Sequence, residues 1–260
     1  MAMDLKTVAT PHVPVRCLEG GSGQPLLFLH GAGGVTAEDP FLNKLAESFH
    51  VFAPLLPGYG DSEECNALRE MLDVTLHYWD VVDALGLKDP ILVGHSMGGM
   101  IAAEMAAIAP HDVTRLGLIC PAGLWLDDHP IADVFSTLPY EMPALLFHDV
   151  EAGAAMMTAG RSVEDPGFLQ AYLVQNARQL GMAGRLLFPI PDRGLSQRLY
   201  RIKARTILVW GDSDKLIPPV YAQEFKRRIA GAQLVSIPEA GHMVAAEKTR
   251  ETVAAIQRLG

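Results

Sequence analysis

The chain is short of cysteine, short of basic residues and without a long apolar run, and each shortage removes a class of function. Three cysteines, Cys17, Cys65 and Cys120, are scattered over 260 residues. They form no CxxC pair and no cluster with histidine, so neither a disulfide framework nor a zinc site is expected, and buried thiols are. Lys and Arg number 21 against 30 Asp and Glu, for a net charge of −9. That balance lacks the clustered positive charge of a nucleic-acid or anionic-membrane surface, so neither is an expected partner. Lys226, Arg227 and Arg228 read as the solvated face of a helix. No apolar stretch is long enough to span a bilayer, and Met1-Ala2-Met3-Asp4-Leu5-Lys6 lacks the basic start and apolar core of a signal peptide. The expectation is a cytoplasmic protein.

Metal and nucleotide signatures are missing too. His12, His50, His77, His111, His129 and His148 do not fall at metal-ligand spacing, and no HExxH occurs. Gly20–Gly23 and Gly31–Gly34 carry neither the Lys-Ser/Thr of a phosphate loop nor a dinucleotide fingerprint. No metal and no cofactor are expected.

What the chain has is apolar content, 49% hydrophobic with 20% charged, and a repeating strand-then-helix rhythm. Pro25–Gly31, His50–Pro54, Pro90–His95, Val113–Cys120, Arg205–Gly211 and Gln233–Pro238 are short apolar runs of the kind found in buried strands. Leu5–Thr10 and Val13–Leu18 form an antiparallel entry. Helical periodicity marks Glu38–Phe49, Leu68–Leu85, Met100–Ala109, Tyr221–Ile229 and Glu247–Leu259. Such alternation builds a mostly parallel sheet with helices on both faces. It stops between Pro121 and about Arg201, where helical segments, Ala152–Gly160 and Gly167–Gly181 among them, occur without a strand. An interruption of that length folds as a unit of its own.

One stretch joins strand, turn and helix at a single residue. In Pro90-Ile91-Leu92-Val93-Gly94-His95-Ser96-Met97-Gly98-Gly99 the serine sits between two glycines. Gly-x-Ser-x-Gly is the nucleophile-elbow pattern, whose small residues let a helix double back on its strand. In open parallel sheets functional loops lie at the carboxyl ends of strands. Those ends carry, in chain order, His30-Gly31-Ala32-Gly33-Gly34, Ser96, the pair Asp212 and Asp214, and His242. A serine needs a base to take its proton, and His242 is the candidate; either aspartate could orient the imidazole. His30 and His95 read as hydrogen-bonded structural groups, and Asp61, in a Pro-Gly turn, as bonding its own backbone.

The order serine, acid, histidine, with His-Gly-x-Gly-Gly after one strand, Gly-His-Ser-Met-Gly-Gly at the elbow, Trp-Gly-Asp-Ser-Asp before Pro218-Pro219 and Ala-Gly-His before the last helix, resembles the α/β-hydrolase superfamily. The resemblance covers all but the inserted segment. It implies an eight-stranded, mostly parallel sheet formed by residues 1–122 and 202–260, with residues 123–201 as a helical cap. It implies Ser96 as nucleophile, His242 as base and, three residues after the strand-end glycine, Asp214 rather than Asp212 as acid. It also implies an oxyanion hole from the amides of Met97 and Ala32. Trp125, Tyr140, Met142, Leu216 and Val244 are the expected pocket walls.

The expected partner is a small molecule. The leading reading is a serine esterase acting on a small to medium, largely apolar ester or lactone; perhydrolysis or acyl transfer would share its acyl-enzyme. The alternative is hydrolysis of carbon–carbon bonds in ring-fission diketones. Proteins doing that chemistry commonly have tryptophan shortly after the histidine, where this chain has Met243-Val244-Ala245-Ala246. Halide and epoxide hydrolysis fit less well, since relatives with those activities use an aspartate where Ser96 stands. The reading from another class is a non-catalytic receptor on the same fold.

Overall fold

The structure is a computed structural model that describes residues 3–190 and 192–260. The expected boundaries above include Met1, Ala2 and Pro191, which lie outside that description. Eight strands form one sheet in the order β1-β2-β4-β3-β5-β6-β7-β8. They are β1 (Asp4–Val8), β2 (Val15–Gly20), β3 (Pro25–Leu29), β4 (His50–Pro54), β5 (Ile91–His95), β6 (Arg115–Ile119), β7 (Arg205–Gly211) and β8 (Gln233–Ile237). β2 pairs antiparallel with both β1 and β4, while all pairs from β4 to β8 are parallel. The apolar runs are explained by their place: Leu26, Leu27, Ile91, Val93, Leu116, Leu118, Leu208 and Val209 are shut in between helical layers.

Helices α1 (Pro40–Leu45), α2 (Met71–Ala84) and α3 (Met97–Ile108) connect the first strands. Two are shorter than their periodicity suggests: side chains fix where they start, and α1 gives way to turns over residues 47–49. Asp39 accepts from the Leu42 amide ahead of Pro40, and Asp73 accepts from the amides of Arg69 and Glu70. Leu68 is buried but precedes the helix.

From 120 to 204 the described residues contain no strand. The segment forms α4 (Met142–Leu146), α5 (Val150–Met157), α6 (Pro166–Leu187) and two short turns of 3-10 helix, Leu195–Gln197 and Leu199–Arg201. Asp165 caps α6 through the amides of Gly167 and Phe168. The helix runs six residues beyond its expected end at Gly181, since Met182, Ala183 and Leu186 continue its buried face. The chain then closes with α7 (Val220–Arg228), α8 (Val244–Glu247) and α9 (Thr249–Gln257). The expected final helix, Glu247–Leu259, forms as α9 from Thr249, after the short α8 and a break at Lys248, whose backbone is not helical (φ −129°, ψ 57°). Among the described residues no helix is long and apolar enough to cross a membrane.

The junction of β5 and α3 is the tightest in the molecule's functional edge. A Cβ on Gly94 would lie 2.2 Å from the Gly98 carbonyl oxygen, and one on Gly98 would lie 2.0 Å from the carbonyl oxygen of Leu29 on β3. The helix therefore meets its own strand and the neighbouring one at backbone distance. Gly98→Ala is expected to cost about 3 kcal/mol or more in urea denaturation. Gly33→Ala, whose added carbon meets nothing within 4 Å, should change stability by less than about 1 kcal/mol. Equal effects would contradict this packing.

Candidate active site

Because β3 and β5 to β8 run parallel, the residues that follow them gather along one edge. Ser96 leaves β5 in a conformation that side chains rarely adopt, φ 54° and ψ −117°. Its amide donates to the Ile119 carbonyl at 2.9 Å, and its own carbonyl accepts from Met100 and Ala122, each at 3.0 Å. Three segments thus hold one strained residue in place.

His242 Nε2 lies 2.9 Å from Ser96 Oγ, and His242 Nδ1 lies 2.8 Å from Asp214 Oδ2. A carboxylate only accepts, so Nδ1–H donates to Asp214 and Nε2 is left to accept from the serine. The other oxygen of Asp214 accepts from the amides of Leu216 and Ile217, at 3.0 and 2.8 Å. All three residues are buried, Ser96 at 9%, Asp214 at 3% and His242 at 2% exposure. Asp212, the rival acid, is exposed and turned elsewhere, accepting from the Ser213 hydroxyl and the Glu239 amide.

The loop after β3 comes to the same point. A Cβ on Gly31 would stand 3.3 Å from Ser96 Cβ, and Ala32 lines the cleft in which Ser96 opens. The Ala32 amide, and that of Met97 at the first position of α3, have no acceptor among the described residues. A serine, an imidazole and a carboxylate in series, beside two amides without acceptors, can move a proton and receive negative charge.

Two further histidines brace this edge. Burial pushes His30 down to about 4. It is neutral, accepting from the Leu56 amide at Nε2 and donating from Nδ1 to the Gly31 carbonyl. Burial, and next the neighbouring His242, push His95 down to about 4 as well. His95 Nε2–H donates to the His242 carbonyl at 3.0 Å, with the two rings 5.1 Å apart. A neutral His95 therefore holds the His242 backbone without placing a second charge beside the ring.

Glu247 has a comparable part that sequence reasoning missed. Its carboxylate accepts from the Gly241 amide and from the amides of His148 and Asp149, tying the His242 loop to the start of α5. The only signal was an acid five residues beyond His242. Cys120 also sits here: its sulfur and donor atoms of Asp214 and His242 lie within 4.8 Å of one another, a possible three-ligand set for a soft metal. Burial and the charge of Asp214 raise the thiol well above its ordinary value, and His242 and Asp214 already bond each other.

Ser96 opens into a largely apolar cleft. Met100, Ile131, Phe135, Leu186, Leu216 and Ile217 make much of its wall. Of the expected wall residues only Leu216 lines it. Trp125 donates instead to Asp127, and Tyr140 is 77% exposed. Met142 and Val244 are buried away from the cleft, in α4 and at the start of α8.

A family model described as Alpha/beta hydrolase family matches residues 26–256. The chain belongs to that family. Among curated relatives, this hydrolase is 28% identical over 254 residues to a protein named Lipase 1 of Psychrobacter immobilis, covering 89% of this chain and 75% of that one. It is 27% identical over 244 residues to a 2-hydroxy-6-oxo-6-phenylhexa-2,4-dienoate hydrolase of Burkholderia cepacia, covering 86% and 83%. A 30% identical relative, a dihydrolipoyllysine-residue acetyltransferase component of an acetoin cleaving system from Pseudomonas putida, is matched over 93% of this chain but 65% of its own length. A solved membrane phospholipase A shares the fold with a TM-score of 0.80 at 24% identity, over 99% of this chain and 86% of that one.

The neutral, buried histidines set an acid limit on stability. Their folded values lie below the ordinary 6.5, so the unfolded chain takes up protons first as pH falls. Their contribution is intact above 6.5 and is lost progressively from there to about 4. Thermal midpoints measured over this range should begin to fall near 6.5; a flat profile down to 4 would contradict the burial of both rings.

Proposed function

We propose that this hydrolase is a serine esterase for small to medium, largely apolar carboxylic esters or lactones, working through an acyl-enzyme. The observation that carries the reading is the unbroken series Ser96, His242 and Asp214, at 2.9 and 2.8 Å, opening into an apolar cleft. In the first half-reaction Ser96 Oγ attacks the ester carbonyl while its proton passes to His242 Nε2. The amides of Ala32 and Met97 receive the oxyanion, and Asp214 stabilises the imidazolium. His242 then protonates the departing alcohol, leaving the acyl group on Ser96. Water, deprotonated by His242, attacks that ester and releases the acid and the free serine. The segment 123–201 acts as a cap over this chemistry, contributing Ile131, Phe135 and Leu186 to the cleft.

Carbon–carbon hydrolysis is the second reading, favoured by the likeness to the dienoate hydrolase. Met243, directly after His242, donates its amide to Leu146 and offers no aromatic face at the position where such proteins commonly have tryptophan. A receptor without turnover is the third.

The three readings separate in one set of assays. Turnover of p-nitrophenyl acetate and butyrate is expected, with Ser96→Ala lowering kcat by roughly a thousandfold or more and Asp214→Asn by a similar factor. Undiminished turnover in Ser96→Ala would overturn the esterase reading. Activity on a ring-fission diketone with none on esters would favour the second, and tight ligand binding with neither activity the third.

A further inference from the structure

Among the described residues, every side chain on the cleft wall is uncharged except that of Arg193. On its other side Arg193 borders a surface groove with Glu70, Glu104 and Asp192, and three features bear on what its cation does at the cleft.

First, Arg193 has no carboxylate partner within 4 Å among the described residues. Its neighbour Asp192 is spent on the turn, accepting from the amides of Gly194 and Ser196. Second, the side chain is held by one bond and its backbone by another. Nη1 donates to the Phe188 carbonyl at 2.7 Å, and the Arg193 carbonyl accepts from Arg198, which is itself paired with the buried Glu104 through two hydrogen bonds. Third, a guanidinium carries five N–H donors, and one bond to Phe188 leaves a planar edge able to take both oxygens of a carboxylate. Arg193 is exposed whereas Ser96 is buried, so the cation stands toward the mouth.

We propose that Arg193 is a specificity residue that selects substrates bearing a carboxylate in addition to the bond that is cleaved. The proposal rests on the esterase reading and narrows its substrate class: an ester with an apolar body between the reacting carbonyl and a distal carboxylate. The body meets Ile131, Phe135, Leu186 and Leu216, and the carboxylate meets Arg193 at the mouth. Because that end is solvated, the preference is modest, about tenfold rather than the far larger effects of buried charge pairs. Arg193 touches no reacting atom, so its removal acts on KM more than on kcat.

The test compares neutral and anionic esters of matched size. Mono-p-nitrophenyl glutarate carries its carboxylate on the acyl side and 4-(butyryloxy)benzoate on the leaving group; p-nitrophenyl butyrate and phenyl butyrate are their neutral counterparts. Arg193→Gln should raise KM for one of the anionic esters by about tenfold and leave the neutral ones within about twofold, with Arg193→Lys recovering part of the loss. Parallel changes on neutral and anionic esters, or no preference for either anionic ester in the unsubstituted enzyme, would overturn the proposal.

A second arm keeps the outcome independent of turnover. Calorimetric binding of monoethyl glutarate against diethyl glutarate is measured on Ser96→Ala with and without Arg193→Gln. Tighter binding of the monoester, lost with Arg193, supports the proposal even if no ester is hydrolysed and the esterase reading fails. Equal binding of the two contradicts it.

Discussion

The close approach of α3 to β5 and β3 is the constraint on which the site depends. With glycine at 94 and 98 the backbone of the helix comes within reach of its own strand and of Leu29. Only that approach allows Ser96 to leave the strand at φ 54° and present its hydroxyl toward His242. The strain is local and is held by hydrogen bonds to β6 and its following loop, through Ile119 and Ala122. Everything else at the site is arranged around an oxygen whose position the backbone has already set.

The fold and the central groups were legible in the sequence because each rests on a local pattern. Buried parallel strands need unbroken apolar runs, and the elbow needs small residues at fixed spacing. An acid and a histidine must follow particular strands to reach the serine. His242 could be named for that reason, while the choice of Asp214 over Asp212 came from the family resemblance; the structure brings Asp214 and His242 to Ser96 and turns Asp212 away. Gly98 also clears Leu29 on the adjacent strand, a contact between segments far apart in the chain that no local pattern shows.

The cleft walls were not legible, and the reason is physical. Between β6 and the start of α5 the chain follows no period that assigns a face, so size and apolarity of a side chain do not say where it points. Tyr140 and Met142 are two residues apart, yet one is 77% and the other 8% exposed, and neither meets the cleft. The polar ties that seat the segment were hidden for the same reason. Glu247 reaches back across about a hundred residues to the His148 and Asp149 amides, and Arg198 spans a similar separation to Glu104 on α3. Removing Arg198 would leave the buried Glu104 carboxylate without its compensating charge, so the insertion is anchored to the elbow helix itself.

The account's central claim is that the backbone and hydrogen bonds around Ser96 make its hydroxyl an activated nucleophile. Reaction with a fluorophosphonate, followed by mass spectrometry of the digested protein, measures this directly. The account predicts a single phosphonyl adduct on the peptide bearing Ser96, absent after heat denaturation and strongly slowed in His242→Ala. No adduct on the folded protein, or labelling of Ser96 at the same rate without His242, would contradict it.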